Sequence, residues 1–118
     1  MSKTLITGAS GLLGEELIQN YDLDNVLTPS REELDVTKES QVREYVNSHN
    51  FSEVIHLAAM TSVRKCEKNK TKAWETNVEG TRNILNAVED LEGVFFCYMS
   101  TPCVFKGDSS APYSENDV

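Results

Sequence analysis

Three glycines near the start of the chain, Gly8, Gly11 and Gly14, stand at three-residue steps directly after the short apolar run Leu5-Ile6. Residues with helical spacing come next, namely Leu13, Leu17 and Ile18, with Glu15, Glu16 and Gln19 between them. Strand, tight turn and helix in that order make the unit that holds a dinucleotide. Gly8 lets the chain turn sharply, Gly11 lets a pyrophosphate approach the backbone, and Gly14 lets the helix pack closely on the strand. The unpaired N–H groups at the helix start then face the phosphates. Ser10, Leu12 and Leu13 complete the turn. A P-loop is excluded, because it needs a Gly-Lys step to neutralise phosphate, and Glu15 follows Gly14 instead. A kinase glycine loop is excluded by the absence of its downstream catalytic and metal-binding motifs.

Other residue types bear on the same chemistry. After the second strand, Thr28, Pro29 and Ser30 offer no carboxylate for the adenosine ribose of NAD, whereas Ser30-Arg31 suits a 2′-phosphate. This favours NADP(H) over NAD(H). The competing reading is a solvated Arg31 paired with Glu32 or Glu33. Thr101 ends an apolar strand, where a turn hydroxyl bonding its own backbone is the simplest reading. His56 lies within an apolar strand and reads as a buried, hydrogen-bonded histidine rather than a base. Cys103 has no cationic neighbour in sequence to activate it. Cys66 and Cys97 read as ordinary helix-start and core residues.

These residues need elements to position them. Asn25 to Thr28 reads as a short strand stopped by Pro29, and Leu34 to Thr37 as a third. Lys38 to His49 is a helix with Val42, Tyr45 and Val46 on one face, and Glu53 to Leu57 is a strand ending in Ala58-Ala59. A long helix over about 71–90 places Trp74, Val78, Thr81, Leu85 and Val88 on one stripe. Val94 to Met99 is fully apolar, suited to the middle of a parallel sheet. The alternation predicts one α/β domain over residues 1–118. Its architecture is a three-layer, Rossmann-type, doubly wound parallel sheet of about five strands. The tail after Phe105 reads as loop.

Composition narrows the function classes. The net charge is -8, from 11 basic and 19 acidic residues, which argues against nucleic acid or an anionic membrane as partner. No apolar run approaches the roughly 20 residues of a membrane span, and the early strand leaves no room for a signal peptide. The 3 cysteines lack Cys-x-x-Cys spacing, so no disulfide framework or zinc site is indicated. A reducing cytoplasm is the expected location.

The run from Thr7 to Gly14 resembles the opening of the extended short-chain dehydrogenase/reductases. Val54 to Thr61, then Thr76 to Thr81, then Met99-Ser100-Thr101 with Val104-Phe105 and Gly107 narrow the resemblance to the dTDP-4-dehydrorhamnose reductase branch. Relatives of that branch include the regulatory β subunit of methionine adenosyltransferase. The resemblance implies a Rossmann domain plus a small sugar-nucleotide domain. It implies hydride transfer from NAD(P)H to the C4 ketone of a dTDP-4-keto-6-deoxy sugar, yielding dTDP-L-rhamnose. Asp35-Val36 match the pair that touches adenine, Ala58 and Ala59 (with Met60 beside them) match the nicotinamide side, and Asn77 matches a residue that bridges helix and active-site backbone. Thr101 matches the Ser/Thr of a catalytic triad completed by Tyr-x-x-x-Lys.

The chain departs from that family twice. Tyr21, Tyr45, Tyr98 and Tyr113 are followed four positions later by Asn25, His49, Pro102 and Asp117, never by lysine. The family pair is expected shortly beyond Val118, together with the rest of the sheet and most of the substrate domain. Pro102-Cys103 also replace the Asp-Tyr that relatives carry after the threonine. The expected reading is the cofactor-binding portion of a nucleotide-sugar reductase, inactive alone. A non-catalytic NADP(H)-binding regulatory module and an epimerase or dehydratase fragment stand as alternatives. With no further strand to cover it, Phe95, Phe96 and Tyr98 would lie on or near an exposed sheet edge, so a homo-oligomer is expected.

Overall fold

Leu5 and Ile6 lose all contact with solvent because β1 (Lys3–Thr7) is paired on both sides. The computed structural model describes residues 2–118. Its four strands are β1, β2 (Val26–Leu27), β3 (Phe51–His56) and β4 (Phe95–Tyr98), all parallel in the order β2-β1-β3-β4. The register sets Leu5 beside Val54, Ile6 beside Ile55 and Thr7 beside His56.

Alternation along the buried strands sends side chains to two faces, and each face is covered. Leu5 and Val54 join Val42 and Val46 of α2 (Glu39–Ser48) and Ile84 and Val88 of α5 (Gly80–Val88) in one core. Ile6, Val26 and Ile55 pack on the other face with Ala9, beneath Leu17 and Ile18 of α1 (Leu12–Ile18). This is the expected three-layer, doubly wound arrangement.

Four expectations need correction. The sheet has four strands, not about five, because Leu34–Thr37 is a pair of turns. The Ser30 carbonyl accepts from the Glu33 and Leu34 N–H groups, and Asp35 Oδ1 accepts from both the Thr37 N–H and hydroxyl. Local side-chain bonds satisfy the backbone there, so no ladder forms. Leu34 and Val36 are still buried, so their alternation reflects packing alone. β4 does not take the middle position its apolar run suits; it lies at the sheet edge with Phe95 and Tyr98 exposed, as expected where no further strand covers it. An additional helix, α3 (Val63–Lys68), is capped by the Ser62 hydroxyl, which accepts from the Lys65 N–H.

The fourth correction concerns the long helix. α4 (Lys70–Trp74) passes through a π turn (Glu75–Glu79) into α5. The wider turn rotates α5 away from the direction a regular α-helix would give it. The stripe Trp74-Val78-Thr81-Leu85-Val88 therefore does not face the core as one line. Trp74 is exposed and its indole N–H donates to Glu79 Oε1. Gly80 and Ile84 face inward beside Val88 of the expected stripe, and a Cβ on Gly80 would lie 2.7 Å from Val36 Cγ2.

This register predicts opposite outcomes for two neighbours. Ile84 is 0% exposed and Leu85 43% exposed. Ile84→Ala should cost about 2–5 kcal/mol in urea denaturation, and Leu85→Ala less than about 1 kcal/mol. A larger loss at Leu85 would restore the regular helical register.

Candidate active site

The chain leaves β1 for β2 on one side and returns to β3 on the other, so a crevice opens beyond the carboxyl ends of β1 and β3. It is a cleft of about 810 Å³, within the range of about 300–1,000 Å³ usual for ligand sites. The turn from Gly8 through Ser10, Gly11, Leu12 and Leu13 to Gly14 forms one wall. Leu57 to Thr61, which include Ala58, Ala59 and Met60, form the opposite wall. Pro29, Arg31, Leu34 and Val36 line one end, and Tyr98 to Thr101 the other.

The three glycines differ in what they answer to. Gly8 adopts φ 71°, and a Cβ there would sit 2.6 Å from the Ala58 nitrogen. At Gly14 a Cβ would sit 2.6 Å from Ala9 Cα and from the Gly8 carbonyl oxygen. Both are required by the fold. Gly11 is not: its φ is an ordinary -80°, and a Cβ would meet only the Gly8 oxygen at 3.3 Å. Gly11 also precedes α1 without a side-chain cap, so the first-turn N–H groups of a helix start keep their donors for whatever enters the cleft.

Ser30 and Asp35 do not reach the cleft wall. The Ser30 N–H donates to Glu33 Oε2 at 2.7 Å, and Ser30 Oγ accepts from the Glu33 N–H at 3.3 Å, which closes the turn on itself. Arg31 pairs with neither Glu32 nor Glu33. Its Nε lies 3.9 Å from Asp35 Oδ2, with the Arg31 side chain 68% exposed, a loose pair. Partial burial pushes the Asp35 carboxyl up, but the Thr37 hydrogen bonds and the Arg31 and Lys38 charges outweigh it and lower its pKa overall. The carboxylate therefore stays charged and turned to its own loop.

The opposite wall is held by buried polar groups. His56 Nδ1 lies 2.7 Å from Thr7 Oγ1 and His56 Nε2 lies 3.0 Å from Thr81 Oγ1. Burial pushes the His56 pKa down to about 4, so the ring is neutral at pH 7 and a weak proton acceptor. Asn77, presented by the π turn, bridges to the Met60 backbone in both directions: its Oδ1 accepts from the Met60 N–H at 2.7 Å and its Nδ2 donates to the Met60 oxygen at 3.0 Å. The Cys66 thiol donates to the same oxygen at 3.3 Å. Among the described residues no buried side-chain nitrogen or oxygen lacks a partner.

Thr101 lines the cleft, and its Oγ1 accepts from the Cys103 N–H at 3.3 Å. The local turn bond and a place at the cleft thus coexist, and the hydroxyl proton stays available to a ligand. Val63, Cys66 and Glu67 of α3 and Tyr98 of β4 also line the cleft, where no sequence pattern places them. The signal for α3 is Ser62, an N-cap residue ahead of Val63.

A family model for the RmlD substrate binding domain matches residues 2–118. The chain belongs to this family. A dTDP-4-dehydrorhamnose reductase of Streptomyces griseus is 36% identical over 114 residues, covering 95% of this chain and 37% of that protein. One from Aggregatibacter actinomycetemcomitans is 34% identical, covering 100% and 41%. Among solved structures, the Bacillus anthracis dTDP-4-dehydrorhamnose reductase in complex with NADP superposes with a TM-score of 0.85 at 34% identity, over 92% of this chain and 40% of that one. The Clostridium acetobutylicum protein gives 0.89 at 34% identity, over 98% and 42%. The chain thus spans about two-fifths of the length of these relatives.

In this RmlD-family chain the glycines separate fold from site. Gly14→Ala must displace backbone and should cost about 1–3 kcal/mol or more. Gly11→Ala should change stability by less than about 1 kcal/mol, since a slight shift at the Gly8 oxygen is offset by a stiffer unfolded chain. Thermal denaturation of both variants checks this, and equal losses would mean that Gly11 also serves packing.

Proposed function

We propose that the chain binds NADP(H) and supplies the dinucleotide-binding part of a dTDP-4-dehydrorhamnose reductase-like oxidoreductase. The observation that carries this reading is Gly11, a glycine that packing does not require, at the lip of a cleft at the sheet's switch point. The NADP of the Bacillus anthracis relative supports the choice of ligand. In this reading the Gly8–Gly14 turn takes the pyrophosphate, and the loosely paired Arg31 takes the 2′-phosphate. Val36 lies toward the adenine. Ala58, Ala59 and Met60, the last held by Asn77, take the nicotinamide side.

Bound there, the dinucleotide would supply the hydride for reducing the C4 ketone of a dTDP-4-keto-6-deoxy sugar. Thr101 orients the ketone oxygen through its free hydroxyl proton. A threonine hydroxyl is too weak to act as the acid, and none of the four tyrosines has a lysine four positions on. In this reading residues 1–118 bind the cofactor and place the carbonyl, and the proton donor comes from elsewhere.

Titration calorimetry tests the reading. NADPH should bind about tenfold tighter than NADH, the equivalent of one charge-assisted contact of ~1.4 kcal/mol. Arg31→Ala should remove that preference and leave NADH binding nearly unchanged. Gly11→Ala should weaken both ligands at least about tenfold. Equal affinities in the unmodified chain would take Arg31 out of its role.

The edge of β4 carries a second proposal. Among the described residues β4 pairs only with β3, and Phe95 and Tyr98 stand exposed beside its unpaired backbone groups. We infer that this edge takes a further strand, and that in residues 1–118 taken by themselves a second copy supplies it, giving a homo-oligomer. Light scattering at micromolar concentration should give a mass above the 13.2 kDa of one chain, and a clean monomer would reject the interface.

A further inference from the structure

Each proton in the buried network around His56 has one place to be. The Ala58 N–H donates to Thr7 Oγ1 at 3.2 Å, and Thr81 Oγ1 donates its only proton to the Asn77 carbonyl at 2.7 Å. Thr81 Oγ1 must therefore accept from His56, which puts the ring proton on Nε2. His56 Nδ1 is then the acceptor, and the Thr7 hydroxyl donates to it. The result is one directional chain from the Ala58 amide through Thr7, His56 and Thr81 to the residue whose side chain clamps Met60. Both ends of that relay lie in the same wall of the cleft.

We propose that His56 is a positioning residue: in its neutral Nε2–H form it sets the Thr7 hydroxyl that holds Ala58 and the Thr81 hydroxyl that holds the Asn77 turn, and so fixes the Ala58–Met60 wall against the cofactor. The proposal deepens the dinucleotide reading of this cleft and rests on it for its ligand. The groups that face the ring are Thr7 from β1, Thr81 from α5, and the Phe96 and Tyr98 rings of β4, with centroids 6.1 and 6.2 Å away. Tyr98 alone among them carries an ionisable group, and none carries a charge at neutral pH in its ordinary form. No charged neighbour contributes to the lowered pKa, which burial produces alone. A proton on Nδ1 would leave the Thr7 hydroxyl without an acceptor and would set the Nε2 lone pair against the Asn77 carbonyl for the single Thr81 proton. The tautomer and the wall geometry are thus one state.

Three measurements on the 118-residue chain decide the matter. Imidazole nitrogen NMR of the unmodified chain, which needs no variant, should show a single Nε2–H tautomer between pH 5 and pH 8. An Nδ1–H tautomer or a mixture would overturn the proposal. Thr81→Val, which removes the acceptor for Nε2–H, should speed exchange of the Met60 amide at least tenfold while the Leu5 amide in β1 stays protected. The same variant should weaken NADPH binding at least fivefold, and Thr81→Ser should restore both. Unchanged Met60 exchange in Thr81→Val, or loss in Thr81→Ser equal to that in Thr81→Val, would also overturn it. If the unmodified chain fails to bind NADPH at millimolar ligand, the dinucleotide reading falls, while the tautomer and exchange data still decide whether His56 positions the wall.

Discussion

The structure turns on how closely two stretches of backbone meet at the ends of β1 and β3. Gly8 lies so near the Ala58 amide that no side chain fits between them, and Gly14 lies equally near Ala9 and the Gly8 carbonyl. That contact presses the turn after β1 against the loop after β3 and leaves the cleft as the space above them. At the same end of the sheet the parallel register seats Thr7 beside His56 at the last rung. Any residue larger than glycine at either point would push the walls apart before it affected any ligand. The buried hydroxyl and imidazole groups then hold in place the walls that the glycines bring together.

The cleft has an unusual border for so polar a protein. Leu12 is 93% exposed, and Leu13, Val63 and Met99 are exposed beside it, although each lines the cleft. Apolar side chains left in water around one crevice fit a ligand with flat rings at both ends. The net charge of -8 works against an anionic ligand at long range. In the proposed reading phosphates are therefore held by short-range donors, the N–H groups at the start of α1 and the guanidinium of Arg31. That division matches the observed loose pairing of Arg31 and the absence of a side-chain cap at Gly11.

Much of the fold and the site is legible in the sequence, for reasons that can be named. The glycine spacing after an apolar run marks the site because a close backbone approach has few other solutions. The three-layer sheet follows from adjacent apolar pairs, Leu5-Ile6 and Val54-Ile55, which need cover on both faces. Other features are hidden by the physics that produces them. Leu34 and Val36 alternate like a strand, but Asp35 and Thr37 satisfy the backbone locally, and no ladder is left to form. The π turn leaves no mark in a hydrophobic pattern taken at a fixed period, which puts Trp74 and Leu85 on the inner stripe and omits Ile84. Ser30 lies off the cleft wall in a turn that Glu33, three residues on, closes, a local bond that position along the chain does not reveal. Val63, Cys66 and Tyr98 reach the cleft only through tertiary placement, which no local spacing encodes.

The central claim is that the space between the glycine turn and the loop after β3 is a dinucleotide site. Amide shift mapping by NMR during a titration with NADP+ tests it most directly. The largest changes should fall on Gly8 to Gly14 and on Ala58 to Met60, with the Arg31 signals following and Val42 and Val46 of α2 unmoved. Changes confined to the β4 edge or to the α2 surface, or no changes at all at saturating ligand, would contradict it.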